Sequence, residues 1–147
     1  MPSFTRTESV HATPEAILGI LADVTRTPEW LDRCTQLDRL TDGPLAVGDA
    51  LRYHYTQGRS SGVMDGTVSA YEPNRRLTNT FTDSMMDVTV DFVAEPIDAT
   101  STSLTHTITI ETKGLMGRLL SPVISRQLPA QTTQAMAALK ALAESGQ

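Results

Sequence analysis

The sequence has 147 residues and a formal net charge of −5, which excludes the basic footprint typical of nucleic-acid binding. No window approaches the ~18 consecutive apolar residues of a membrane span, and the N-terminal residues lack the apolar run of a signal peptide. A single cysteine excludes an internal disulfide and fits a reducing cytoplasm, and one cysteine with three histidines argues against a structural zinc site. The length is that of one ordinary domain. We therefore expect a single cytoplasmic domain over residues 1–147 with no metal or other cofactor.

The N-terminal segment predicts a strand followed by two short helices. Residues 4–11 alternate and are rich in Thr and Val, a pattern typical of a strand. The Thr-Pro-Glu run at residues 13–15 then predicts a helix start, with Thr as N-cap, Pro at the first helical position and an acid in the first turn. The same run at residues 27–29 predicts that a second short helix begins there.

From residue 35 onward the sequence predicts six more strands. Clusters of Gly, Pro, Asp and Asn separate them, as expected for turns, and the many threonines suit a sheet with one wet face. The predicted strands are 35–40, 50–57, 63–71, 76–82, 86–95 and 101–112.

Alternation within the strands predicts which side chains face the interior. The last strand gives the clearest pattern, because apolar residues alternate there with threonines. It turns Leu104, His106, Ile108 and Ile110 inward. The other strands turn inward Leu51, Tyr53, Tyr55, Met64, Gly66, Val68, Leu77, Asn79, Phe81, Met86, Val88, Val90 and Phe92.

The last third of the chain, from Gly114, predicts a long helix with one apolar stripe that packs on the sheet. Two prolines interrupt it, and two interpretations compete. Either Pro122 begins the main helix after a separate turn at 115–120, or the helix runs through both prolines and bends. In both cases we expect residues 115–128 to be least regular and the cavity entrance to lie beside them. The stripe contains Leu115, Leu119, Leu120, Val123, Ile124, Leu128, Ala135, Met136, Leu139, Leu142 and Ala143.

Several short motifs, in this order and spacing, carry a family resemblance. They are Ala12-Thr13-Pro14-Glu15, Ala22-Asp23-Val24, Pro28-Glu29-Trp30, Gly48-Asp49, and Met136-Ala137-Ala138-Leu139-Lys140 with Glu144. Over nearly its whole length the chain resembles the START/Bet v 1-like superfamily, specifically the polyketide cyclase/dehydrase and lipid-transport type. The resemblance implies an α+β helix-grip fold. In this fold a curved antiparallel sheet of about seven strands surrounds a long C-terminal helix, two short helices follow the first strand, and a hydrophobic cavity lies between sheet and helix.

Members of this superfamily include aromatase/cyclases, lipid carriers, hormone receptors and chaperone-activating modules, so the fold does not choose the function. We favour binding or transport of a small hydrophobic or amphipathic ligand, lipid-like or polyketide-like, by a monomer or homodimer. One alternative is a cyclase or dehydratase that uses His106 and Tyr53. Another is a protein-interaction module that modulates a partner. Whether the protein is an enzyme stays open at this point.

His106 is the most informative titratable residue. On an apolar face it is expected to be neutral, able to accept a proton or orient a ligand; the competing interpretation is a core histidine with a hydrogen-bond partner inside the protein. The aromatase/cyclases rely on a cavity arginine, but Arg52 falls on the predicted outer face and only Arg6, beside Glu8, is an inward candidate. That departure weakens the cyclase interpretation.

Aromatic and methionine side chains complete the predicted ligand site. Tyrosines combine apolar area with one polar tip, and flexible thioethers suit an adaptable wall, although both are equally typical of a plain core. The predicted ligand-binding residues are Trp30, Tyr53, Tyr55, Met64, Asn79, Phe81, Met86, Val88, His106, Leu119, Val123 and Leu128.

Overall fold

The computed structural model describes residues 2–57 and 59–146; Met1, Gly58 and Gln147 lie outside the described residues. The strands are β1 (Ser3–Val10), β2 (Cys34–Arg39), β3 (Ala50–Gln57), β4 (Ser60–Glu72), β5 (Arg76–Thr82), β6 (Met86–Pro96) and β7 (Thr102–Thr112). They form one antiparallel seven-stranded sheet in the order β1-β7-β6-β5-β4-β3-β2. The predicted α+β helix-grip architecture is confirmed.

The start of β4 differs from the sequence-based expectation. Residues 60–62 are polar or glycine and were expected in a turn, yet they continue the ladder, with Gly62 paired to Tyr55 of β3. Residues 60–62 have low strand propensity, but pairing with β3 in the hairpin holds them in the sheet. The longer hairpin brings the Tyr55 ring against the β4 backbone.

The first helix, α1 (Pro14–Ala22), begins where the sequence predicts. The Thr13 hydroxyl accepts a hydrogen bond from the Ala16 N–H at 3.1 Å, and Pro14 takes the first helical position. The cap satisfies one of the N–H groups that a helix start leaves unpaired. Ile17 and Leu18 are fully covered by the core, which fixes α1 against the sheet.

The second short helix is a 3₁₀ helix over Val24–Glu29, so the prediction that it begins at residues 27–29 is wrong. Thr27 does not cap a new helix. Its buried hydroxyl donates to the Val24 carbonyl at 2.7 Å, which places Thr27 inside the turn. Trp30 follows directly and points its indole into the core.

The long helix α2 (Gly114–Ser145) is continuous, with Pro122 and Pro129 inside it. The alternative in which residues 115–120 form a separate turn is therefore wrong. Each proline removes one N–H from the helical ladder, so the first half of α2 has fewer backbone hydrogen bonds than the second. The half that follows Pro129 carries most of the buried residues of the helix.

The apolar residues of α2 do not form the single stripe that the sequence predicted. At 3.6 residues per turn, the large apolar residues between 115 and 123 lie on the face opposite to those from Leu128 onward. Helical spacing is kept within each half, but the two halves are out of phase. Buried are Gly117, Leu128, Ala135, Met136, Leu139 and Ala143; exposed are Leu115, Met116, Leu119, Leu120 and Val123.

Candidate functional site

His106 lies in the middle of β7, on the concave face of the sheet. Only 4% of the residue is exposed, and Leu104 and Ile108 on either side are buried as well, as the alternation predicts. In the ladders, His106 stands opposite Phe92 of β6 on one side and Arg6 of β1 on the other. The inward orientation predicted for His106 is confirmed.

Three rings define the surroundings of His106. Its imidazole stacks on the Phe92 ring, with centroids 4.2 Å apart and planes 16° from parallel. The Trp30 indole meets the same Phe92 ring edge-on, at 5.6 Å and 89°. The 3₁₀ helix thus places Trp30 over the same part of the sheet as His106.

Four polar atoms in this region are sealed from solvent and have no hydrogen-bond partner among the described residues: Trp30 Nε1, Asn79 Oδ1, and Nδ1 and Nε2 of His106. Asn79 belongs to the next row of the sheet, opposite Val90. The interpretation of His106 as a core histidine satisfied from within the protein is therefore wrong. A buried polar group without a partner costs about 1–3 kcal/mol, so this group of atoms requires an explanation.

Burial controls the charge of His106. It lowers the pKa from 6.5 to about 4, and the nearby Asp91 carboxylate opposes this only in part. At neutral pH the imidazole is uncharged, with one nitrogen as donor and the other as acceptor. Trp30 adds a donor and Asn79 Oδ1 an acceptor. These four atoms therefore leave both donor and acceptor capacity unused.

A second aromatic group lies on β3 and β5. Tyr53 contacts Tyr55 at 5.4 Å and Phe81 at 5.3 Å between ring centroids. Two glycines of β4 make room for these rings: a Cβ on Gly62 would lie 2.6 Å from the Tyr55 hydroxyl, and one on Gly66 would lie 2.4 Å from the Phe81 ring. Burial raises the pKa of Tyr53 to about 12. The Tyr53 phenol stays protonated and can only donate or accept a hydrogen bond.

The two predicted catalytic residues are not joined by a hydrogen bond. His106 is on β7 and Tyr53 on β3, with β6, β5 and β4 between them in the sheet. Neither ring nitrogen of His106 has a hydrogen-bond partner among the described residues. Whether His106 and Tyr53 act on a common ligand atom stays a prediction.

The remaining predicted ligand residues divide into two sets. Met64 and Leu128 are buried, and Met86 and Val88 are half-buried against the core. Leu119 and Val123 instead lie on the solvent face of α2, so they do not line the interior. The reason is the change of helical phase between the two halves of α2.

The arginines do not supply a free cation to the interior near His106. Arg6 shares the concave face with His106, but its guanidinium pairs with Glu8 at 2.6 Å. Arg52 is exposed on the outer face, 3.6 Å from Asp65, as predicted. Of these two arginines, only Arg6 faces the same side as His106, and it does so as an ion pair with Glu8.

Sequence reasoning missed a pocket of about 260 Å³ between the loop after the 3₁₀ helix and α2. The Gln134 side-chain amide donates to the Asp32 carboxylate across this pocket. Arg33 lies beside it, and its positive charge reaches the Tyr53 phenol. No local pattern could reveal the site, because its two sides are about a hundred residues apart. The lining residues are Leu31, Asp32, Arg33, Gln131, Gln134 and Ala135.

The entrance was expected beside residues 115–128, whereas this pocket borders α2 just after Pro129. A smaller pocket of about 60 Å³ touches Ser125, Leu128 and Pro129 on the β1 side of the helix. Both pockets thus lie beside the middle of α2. The entrance beside residues 115–128 stays a prediction.

Two further kinds of site, a cluster of metal ligands and a reactive cysteine thiolate, are not found in the part of the chain that the structure describes. No three His, Cys, Asp or Glu side chains converge there as metal ligands would. Burial raises the pKa of the Cys34 thiol to about 11, so the reactive thiolate is not formed at neutral pH. Within residues 2–57 and 59–146, no helix has the length and apolar character needed to span a bilayer.

Solved structures share this fold at low sequence identity. A START superfamily protein from Mycobacterium smegmatis is 19% identical, with a TM-score of 0.80 and coverage of 99% of both chains. The Zhui aromatase/cyclase from a Streptomyces species is 16% identical, with a TM-score of 0.78 over 97% of this chain and 93% of that one. A Thermus thermophilus protein is 13% identical, with a TM-score of 0.79 and 99% coverage of both chains. Such identities establish the fold alone.

None of the curated proteins matches this sequence. The family model for polyketide cyclase / dehydrase and lipid transport does match, over residues 1–144. The match covers every strand and almost all of α2, including the concave face that carries His106. The chain belongs to the polyketide cyclase / dehydrase and lipid transport family.

Proposed function

We propose that this protein binds a small hydrophobic or amphipathic molecule, lipid-like or polyketide-like, on the concave face of its sheet. The observation that supports this is the set of four buried polar atoms without partners at Trp30, Asn79 and His106. They lie among apolar side chains, where a missing hydrogen bond is costly. A ligand hydroxyl or carbonyl group would supply the missing partner, while its apolar part would replace the surrounding contacts.

Binding is favoured over catalysis because the titratable groups are poorly matched to proton transfer. A general base works best with a pKa near the working pH, whereas burial holds the pKa of His106 near 4. The Tyr53 phenol has a pKa of about 12. It belongs to β3, and three strands lie between β3 and the His106 strand β7 in the sheet. These groups suit hydrogen bonding to a ligand better than activation of one. We propose that the protein acts as a cytoplasmic monomer or homodimer.

Native mass spectrometry of the purified protein offers the first test. A co-purifying ligand would add a mass that disappears on denaturation. A defined probe pair gives the second test: 2-naphthol, which carries a hydroxyl group on an apolar bicycle, and naphthalene, which lacks it. We expect tighter binding of 2-naphthol by about two- to tenfold, since one net hydrogen bond contributes about 0.5–1.5 kcal/mol.

The variant His106→Phe keeps an aromatic ring on Phe92 and removes both ring nitrogens. We expect it to reduce the preference for 2-naphthol over naphthalene, because of the four unpaired atoms only Trp30 Nε1 and Asn79 Oδ1 then remain. His54→Phe is the matched control, because His54 lies on the opposite face of the sheet, 3.3 Å from Asp38. An undiminished preference in His106→Phe, or failure of the wild-type protein to bind either probe or any co-purifying ligand, would contradict the proposal.

A further inference from the structure

The first half of α2 exposes a set of large apolar side chains that no other part of the described chain covers. We call these five residues the exposed helix patch. Leu115 is 74% exposed and Leu119 is 63% exposed. The complete set is Leu115, Met116, Leu119, Leu120 and Val123.

The patch is continuous along the helix. Leu115, Leu119 and Val123 follow each other at intervals of four residues, and such neighbours lie one above the other on a helix surface. Gly117, on the opposite face, is buried against the Met85 carbonyl and so fixes which side of α2 points outward. A contiguous exposed apolar surface of this kind marks an interaction site.

The charge around the patch is positive, although the whole chain is acidic. Arg118 and Arg126 flank the patch, and neither makes an ion pair within the described residues. Lys113, at the start of the helix, is held by Asp87 at 3.0 Å and is not free. From residue 112 to residue 143 the sequence contains no Asp or Glu, while the protein carries a formal net charge of −5.

We propose that the exposed helix patch docks on the surface of an anionic lipid bilayer. Apolar side chains would enter the boundary between headgroups and acyl chains, while Arg118 and Arg126 would contact lipid phosphates. A second copy of the chain complements this face poorly. In a symmetric contact the two arginines would meet another acid-free helix surface, and like charges oppose such pairing. The proposal is independent of whether the interior binds a ligand.

Co-sedimentation of the full-length protein with lipid vesicles tests the proposal. We compare pure phosphatidylcholine with vesicles in which about a third of the lipid is phosphatidylglycerol. The wild-type protein should bind the anionic vesicles more tightly, and added salt should weaken that binding. The double variant Leu119→Glu/Val123→Glu should abolish it. Arg118→Gln/Arg126→Gln should weaken it about 30-fold, at roughly 1 kcal/mol for each arginine near an anionic surface.

Val47→Glu/Ile97→Glu is the matched control, because these two apolar residues are 60% and 56% exposed but lie outside α2. It should bind vesicles like the wild type. Unchanged thermal unfolding and 2-naphthol binding would show that the α2 variants are folded. The proposal is overturned if the wild-type protein does not bind anionic vesicles, or if Leu119→Glu/Val123→Glu binds them equally well. It is also overturned if sedimentation velocity shows a dimer that this variant dissociates while vesicle binding is absent, since the patch would then join two copies of the chain.

Discussion

Acidification from pH 6.5 to pH 4 should reduce the free energy of unfolding by about 3 kcal/mol through His106 alone. In the folded protein burial lowers the pKa of His106 from 6.5 to about 4. Between these values the unfolded chain binds a proton that the folded protein does not, so stability falls as the pH falls. Well above pH 6.5 both states are neutral at this residue, and the contribution no longer changes with pH.

Urea denaturation of the wild-type protein and of His106→Phe, at pH 7 and at about pH 4.5, measures this contribution. Other groups also titrate, including Asp49 and Asp87, whose pKa values are lowered by hydrogen bonds from a backbone N–H and from Thr82, respectively. Their effect is common to both proteins and cancels in the difference. At pH 7 the variant should already be more stable by about 1–2 kcal/mol, because it removes two buried polar atoms without partners. A difference that does not grow on acidification would show that His106 is not buried and neutral.

The second large effect concerns two helical glycines that should respond to alanine with opposite signs. A Cβ on Gly117 would lie 2.4 Å from the Met85 backbone oxygen, so either α2 or the turn before β6 must move. We expect Gly117→Ala to destabilise the protein by about 1–3 kcal/mol despite the better helix propensity of alanine. In α1, a Cβ on Gly19 would have no heavy atom within 4 Å. Gly19→Ala should therefore stabilise by about 0.5–1 kcal/mol.

Chemical denaturation of both variants under the same conditions measures the two changes in the free energy of unfolding and shows whether their signs are opposite. Gly19→Ala serves as the internal control, since it carries the same substitution in a helix without the close contact. Stabilisation by both substitutions would mean that the start of α2 does not pack on Met85 as described. It would also remove the reason for assigning the solvent side of the exposed helix patch.

Where the signal is local, the sequence predicts the structure well. Threonine alternation along β7 places His106 inward, and the Thr13-Pro14 pair sets the start of α1. Both depend on interactions within a few residues, namely side-chain period and capping. The order of elements, together with the family motifs, then leaves only the helix-grip arrangement of one curved sheet and one long helix.

The sequence-based predictions are wrong where contacts between residues distant in sequence determine the local structure. Thr27 carries the local signature of a cap, but its hydroxyl bonds back to Val24. Two apolar sets on α2 each follow helical spacing, and only the folded structure, through burial of one set and the contact of Gly117 with Met85, shows which set faces the sheet. For the site, alternation predicts His106 and Asn79. Nothing in the local sequence shows that Trp30 and His106 contact the same Phe92 ring.

The most direct test of ligand binding at His106 is a long-range ¹H–¹⁵N NMR titration of its ring nitrogens with 2-naphthol. In the free protein we expect a neutral imidazole down to about pH 5, in line with a pKa near 4. On saturation with 2-naphthol, at least one ring nitrogen should shift as it gains a hydrogen-bond partner, whereas naphthalene should leave both nearly unchanged. Binding of 2-naphthol with no shift at either nitrogen, or titration of the ring near its ordinary pKa of 6.5, would contradict the account.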